Sequence, residues 1–142
     1  LSLSLSLSLS LSLSLSLCHT HLQLFKIGVN KLQEACVNLK VLDLSKCKRL
    51  HSPTIHLPKL KKLDLSDTPI TAPSIICPHL THLAISHCHL LSHADILSCL
   101  ATSPFLHGIK MCSLPSCTDS TIKALIRLCP NTRLLSLSGT GT

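Results

Sequence analysis

The sequence has almost no aromatic residues: 2 of its 142 residues are Phe, and Trp and Tyr are absent. The apolar volume of the chain must therefore come from Leu, Ile and Val, which favours thin, repetitive packing over one thick core. Single-stranded nucleic acids are normally bound on aromatic side chains that stack with the bases. The net charge of +7 would suit an acidic partner or a nucleic acid. Nucleic acid is the less favoured of the two, because the basic residues are scattered and aromatic stacking platforms are lacking.

Long apolar runs, a basic leader region and a small-residue cleavage site are also lacking. A membrane helix needs about 18 consecutive apolar residues, and a secretory signal needs the other two features. The chain has 9 cysteines, an odd number whose spacing follows the repeat described below. Such cysteines fit reduced thiols better than a disulfide framework. We therefore expect a cytoplasmic or nuclear protein that does not bind membranes.

A low-complexity tract occupies residues 1–17, where Leu and Ser alternate without exception. Alternation with a period of two is a strand pattern, because it places every Leu on one face. A CT dinucleotide repeat in the coding strand would give the same tract in any reading frame. We favour the second account, assign the tract no function and expect it to lie outside the folded domain.

Three mostly apolar positions recur in five blocks. Within each block the second position comes three residues after the first, and the third comes two residues after the second. The blocks are Leu39, Leu42, Leu44; Leu60, Leu63, Leu65; Leu80, Leu83, Ile85; Leu106, Ile109, Met111; and Thr132, Leu135, Leu137. Successive blocks start 21, 20, 26 and 26 residues apart, a step typical of leucine-rich repeats. A second marker keeps the same phase, since Cys or Pro often precedes a block, as in Cys77-Pro78 and Cys129-Pro130.

The pattern resembles leucine-rich repeats, which implies an α/β solenoid. Short parallel strands would form its concave face, and helices or 3₁₀ and extended segments its convex face. We predict about five repeats over residues 39–142, the last one truncated, in a fragment of a longer protein. Residues 18–38 are a candidate degenerate repeat, because Leu22 and Leu24 lie 20 residues before Leu42 and Leu44. One repeat cannot bury its apolar side alone, so several must stack.

The outer segments differ between repeats. Residues Asp119 to Cys129 carry apolar residues at helical spacing after Thr118, a plausible N-cap. Residues Asp95 to Ala101 show a similar pattern. The two shorter repeats contain several prolines, which exclude a helix and favour extended or 3₁₀ backbone.

The unit after Met111 resembles the cysteine-containing repeats of F-box proteins, in which a Thr-Asp pair opens a helix and Cys-Pro-Asn precedes the next strand. The matching segments are Thr118-Asp119, Cys129-Pro130-Asn131 and Leu135-Ser136-Leu137, and the likeness covers about residues 36–140. It implies a module that captures substrates for an SCF ubiquitin ligase. The SCF adaptor would bind only through an F-box outside this chain. The alternative is a generic leucine-rich repeat scaffold or structural fragment with no role in ubiquitin transfer.

Histidines and cysteines cluster between residues 79 and 93, at His79, His82, His87, Cys88, His89 and His93. Zinc ligands must converge on one point, and the repeat does not require these residues to converge. Solvated histidines and buried structural cysteines are the favoured interpretation. We predict no metal and no cofactor.

No nucleophile motif or phosphate-binding loop is present, so we expect a protein that is not an enzyme. The predicted function lies in protein binding by the concave face. The candidate partner-binding residues are Val41, Asp43, Lys46, Lys62, Asp64, Asp67, His82, His87 and Lys110. Asp43 and Asp64, on neighbouring predicted strands, would select a basic segment of a partner.

Overall fold

The computed structural model describes residues 37–139 and, for the backbone alone, the strand Ser14–Ser16. Eight strands of three residues and two helices make up this part of the chain. They are β1 (Ser14–Ser16), β2 (Val41–Asp43), β3 (Thr54–His56), β4 (Lys62–Asp64), β5 (Ser74–Ile76), β6 (His82–Ala84), α1 (His93–Ala101), β7 (Gly108–Lys110), α2 (Asp119–Leu128) and β8 (Leu134–Ser136).

Two parallel sheets form two sides of the molecule. The larger sheet has the order β1-β2-β4-β6-β7-β8, and the smaller one pairs β3 with β5. Neighbouring strands of the larger sheet pair at equivalent repeat positions, so Leu42, Leu63, Leu83, Ile109 and Leu135 are in register. Each block predicted from the sequence therefore contributes one strand and one layer of a solenoid.

The core lies between the larger sheet and the outer segments, and it consists of stacked Leu and Ile side chains. In β2, β4, β6 and β7 the middle residue is buried, with 1–2% of its surface exposed. The third apolar position of each of these layers, Leu44, Leu65, Ile85 and Met111, is completely buried. In β8 the middle residue, Leu135, is 40% exposed, because no described strand packs beyond it.

The conformation of the outer segments is determined by their prolines and helix caps. In the shorter repeats the backbone is extended at β3 and β5, which is one of the two predicted alternatives, and Ile55 and Ile75 point into the core. The longer repeats carry the predicted helices. Helix α1 begins at His93, two residues before the predicted start, because Ser92 caps it: the Asp95 N–H donates to Ser92 Oγ (3.2 Å) and the Ser92 N–H to Asp95 Oδ2 (3.0 Å).

Three residues of the Leu-Ser tract belong to the larger sheet, whereas we expected the whole tract to lie outside the fold. Ser14–Ser16 form β1 and pair in parallel with β2, with Leu15 opposite Leu42. The alternation of Leu and Ser has the period of a strand, which explains why this segment can extend a sheet. The candidate repeat at Leu22 and Leu24 lies outside the described residues.

Candidate functional site

The concave face of the solenoid is a shallow groove across β2, β4, β6, β7 and β8. Two residues of each strand point away from the core, and these residues form two rows. The first row is Val41, Lys62, His82, Gly108 and Leu134, and the second is Asp43, Asp64, Ala84, Lys110 and Ser136. The two rows carry charged, apolar and small side chains.

Six of the nine candidate residues line this groove: Val41, Asp43, Lys62, Asp64, His82 and Lys110. They occupy four adjacent strands, so the structure brings them onto one surface. Their part in binding a partner stays a prediction.

The other three candidates lie in the turns that follow the strands. Lys46, Asp67 and His87 have left-handed backbone, with φ of 62°, 58° and 58°. Their N–H groups donate to carbonyls of the next repeat, at Ser66 (2.8 Å), Ser86 (2.9 Å) and Cys112 (2.9 Å). Ser113 and Gly139 continue this row with φ of 53° and 69°. These backbones therefore join one repeat to the next. Gly139 was the signal in the sequence for a left-handed turn at this position, because Gly adopts positive φ without strain.

Asp43 and Asp64 also have a structural role that the sequence analysis did not predict. The Ser45 N–H donates to Asp43 Oδ1, and the Ser66 N–H donates to Asp64 Oδ1, each at 2.9 Å. Each carboxylate thereby closes a local turn of the kind that Asp and Asn favour. Replacing either residue with Lys would alter the turn as well as the charge, whereas Asn keeps the acceptor oxygen and removes only the charge.

His82 is held in the centre of the groove. The Thr81 hydroxyl donates its single proton to the Lys61 carbonyl (2.9 Å), so in the 2.9 Å bond between the two side chains His82 Nδ1 is the donor to Thr81 Oγ1. The His82 ring covers Gly108, where an added Cβ would lie 2.6 Å from His82 Cδ2. Partial burial, with additional effects of Lys62 and His107, lowers the pKa of His82. The ring is therefore favoured in its neutral form.

The histidines and cysteines of residues 79–93 do not converge. The rings of His87 and His89 meet edge to face with centroids 6.1 Å apart, while His93 Nδ1 bonds Thr121 Oγ1 (2.8 Å) between the helices. The buried Cys88 thiol donates to the Leu65 carbonyl (3.1 Å), and burial raises its pKa. Within residues 37–139 no three His, Cys, Asp or Glu side chains are grouped to hold a metal ion.

One row next to the groove was missed by the sequence analysis. It consists of the residues immediately before the five strands, Lys40, Lys61, Thr81, His107 and Arg133, whose backbones bond from repeat to repeat. The signal was present in the block spacing, since each of these residues follows the first position of its block. It was not predicted because only the strands and the turns after them were assigned to the concave face.

Comparison with known families agrees with this architecture. A family model described as Leucine Rich repeat matches residues 56–76 and 77–93, about a quarter of the chain. Each match contains one concave strand, β4 or β6. The described residues form a leucine-rich repeat solenoid of the α/β class, and this confirms the predicted fold. Comparison with curated proteins and with solved structures gives no match.

Helices α1 and α2 have 9 and 10 residues. Neither of these helices, in the part of the chain that the structure describes, has the length and apolar character needed to cross a bilayer.

Proposed function

We propose that the chain is a non-catalytic recognition module that binds a protein partner on its concave face. The observation that supports this most is the groove itself: five strands in register present two rows of side chains with both charges, exposed Leu134 and a shallow floor at Ala84 and Gly108. Concave solenoid surfaces are commonly used for binding. The local turn bonds of Asp43 and Asp64 fix the positions of both carboxylates before any partner arrives.

Site-specific photo-crosslinking in cells tests this proposal. A photoreactive amino acid is placed at Lys62 or Lys110, which are exposed on the concave strands, and at Ser74, which is exposed on the convex strand β5. We expect the same protein to be captured from both concave positions and not from Ser74. Equal capture from Ser74, or none from the concave positions, would contradict the proposal.

The finer proposal is that these repeats recognise substrates for an F-box-type SCF ubiquitin ligase in the cytoplasm or nucleus. It is supported by the resemblance of the unit from Thr118-Asp119 to Cys129-Pro130-Asn131, in which α2 starts at Asp119 as that resemblance implies. Determining the coding sequence upstream of residue 1 tests the link: an F-box there is expected. Its absence would leave a leucine-rich repeat scaffold without a role in ubiquitin transfer.

A further inference from the structure

Basic residues gather at the amino ends of the concave strands. Each of the five strands contributes at least one, either just before the strand or at its first position. We name this set the basic edge: Lys40, Lys61, Lys62, His82, His107 and Arg133. All are exposed except the half-buried His82, whose neutral form is favoured. The permanent positive charge of the edge is carried by Lys40, Lys61, Lys62 and Arg133.

Acidic residues are absent from this edge among the described residues. The full sequence has six acidic residues, and five of them lie within residues 37–139. Asp43, Asp64 and Asp67 lie at the carboxyl ends of the strands, while Asp95 and Asp119 open the two helices. The carboxyl ends also carry Lys46, Lys48 and Lys110, so charge is mixed there and of one sign at the amino ends.

The backbone fixes the spacing of the basic edge. The Lys61 N–H donates to the Lys40 carbonyl (2.8 Å), and the Arg133 N–H donates to the His107 carbonyl (2.8 Å). Parallel strands are separated by about 4.8 Å, so the five strands span about 20 Å. Along a strand, residues 40 and 43 lie about 10 Å apart and residues 62 and 64 about 7 Å apart, close to the screening length of about 8 Å at physiological salt. The positive potential of the edge is therefore only partly cancelled by Asp43 and Asp64.

We propose that the basic edge binds an acidic segment of a protein partner. This inference rests on the proposed function, because it assigns a chemistry to one side of the same concave face. An acidic segment is opposite in charge to the basic segment that Asp43 and Asp64 would select. One Oδ of each of those carboxylates accepts a turn N–H, whereas Lys40, Lys61, Lys62 and Arg133 of the basic edge are exposed.

Exposed apolar side chains favour a protein over a nucleic acid here. Leu134, 66% exposed, lines the groove directly after Arg133, and Phe105, 52% exposed, lies two residues before His107 in the sequence. Protein interfaces combine such apolar anchors with complementary charge at the rim. Binding of single-stranded nucleic acid instead needs aromatic rings for successive bases, and Phe105 is the only Phe among residues 37–139.

A binding assay with the full chain tests the inference. The probes are a labelled Glu-rich peptide and an oligouridylate of matching length. We expect the peptide to bind with an affinity that falls as salt rises, because exposed charges are screened. Charge reversal by Lys61→Glu with Lys62→Glu should weaken peptide binding by about tenfold or more.

Two control variants separate the edge from overall charge. Lys123→Glu with Arg127→Glu makes the same change in net charge on exposed positions of α2 and should change peptide affinity by less than about twofold. Asp43→Asn with Asp64→Asn keeps the turn acceptors and should retain or modestly strengthen binding. Circular dichroism and thermal unfolding should show that all variants remain folded.

Three results would overturn the inference: no binding of the Glu-rich peptide, an equal loss in the α2 variant, or tighter binding of oligouridylate than of peptide. The crosslinking experiment distinguishes such a failure from failure of the proposed function. If a partner is captured from Lys62 and Lys110 but the Glu-rich peptide does not compete with it, binding by the concave face stands and the acidic ligand is ruled out. Capture from Ser74 alone would remove the concave site itself.

Discussion

Ser103 is the buried hydroxyl without a partner within residues 37–139. Its side chain is fully buried, and Oγ has no hydrogen-bond partner. Cys77 and Cys129 fill the same register in their repeats, where their thiols contact carbonyls at 3.7–3.8 Å. The sequence shows the shared register, but the unpartnered hydroxyl becomes visible only when the neighbouring repeat is in place.

Replacing Ser103 should therefore stabilise the fold. Ser103→Ala or Ser103→Cys removes an unsatisfied buried hydroxyl, and we expect the free energy of unfolding to rise by about 1 kcal/mol in urea titrations. Ser116→Ala is the matched control, since Ser116 Oγ donates to the Leu91 carbonyl (2.6 Å) and its loss should destabilise. An equal destabilisation by both changes would contradict the assignment.

Cys112 should be the most reactive thiol among the described cysteines. It occupies the position that is Ser in the other four repeats, and its Sγ is 3.1 Å from Ser136 Oγ and 3.2 Å from Ser138 Oγ. These hydroxyls lower the pKa of Cys112, whereas burial raises the pKa of Cys77 and, to about 12, that of Cys99. The thiolate is the nucleophile.

Alkylation with iodoacetamide near neutral pH, followed by peptide mass spectrometry, should label Cys112 first among these three thiols. Ser136→Ala together with Ser138→Ala should slow that labelling by raising the pKa. Faster labelling of Cys77 or Cys99 would show that burial does not control reactivity as the structure implies.

His82 should make stability depend on pH. Burial, Lys62 and His107 lower its pKa in the folded chain, so the unfolded chain binds the proton more readily. The free energy of unfolding should therefore decrease as pH falls below about 6.5. His82→Gln should lose less stability than the unmodified chain between about pH 7 and pH 5. Parallel pH profiles of the two proteins would contradict this assignment.

At the scale of the elements, the positions of the concave strands could be predicted from the sequence. The conformation and pairing of the convex strands could be predicted only in part. Spacing of the apolar blocks placed all five concave strands, and β2, β4, β6 and β7 bury their middle residue as that spacing predicts. The prolines excluded a helix near β3 and β5 but left 3₁₀ and extended backbone as alternatives. Pairing of β3 with β5 depends on the neighbouring repeat, which a local pattern does not contain.

Leucines at equivalent repeat positions should contribute differently to the free energy of unfolding, depending on which layer they occupy. Leu83 in β6 is 1% exposed and lies between two described repeats, while Leu135 in β8 is 40% exposed. Leu83→Ala should reduce the free energy of unfolding by about 2 to 5 kcal/mol. Leu135→Ala should cost less than about 1 kcal/mol, because far less apolar surface is lost from the core. Urea titrations of both variants measure the difference, and equal costs would contradict the layered core.

At the scale of the whole molecule, the sequence predicted the solenoid and six groove residues, but not how those residues are held. Repeat spacing fixes which side chains share a face, so Lys62, Asp64 and His82 could be placed together. Their orientation depends on contacts across repeats, such as His82 over Gly108. The basic edge likewise becomes evident only when residues about 20 positions apart are stacked.

Blocking the concave face tests most directly whether that face binds the partner. Ala84 lies on the groove floor between Asp64 and Lys110, with 9% of its surface exposed. Ala84→Arg adds a long side chain there, and Ser74→Arg adds the same side chain to the convex strand β5. Affinity for the crosslinked partner should fall by about tenfold or more with Ala84→Arg and stay unchanged with Ser74→Arg, both variants remaining folded. Equal affinity of the two variants would contradict binding by the concave face.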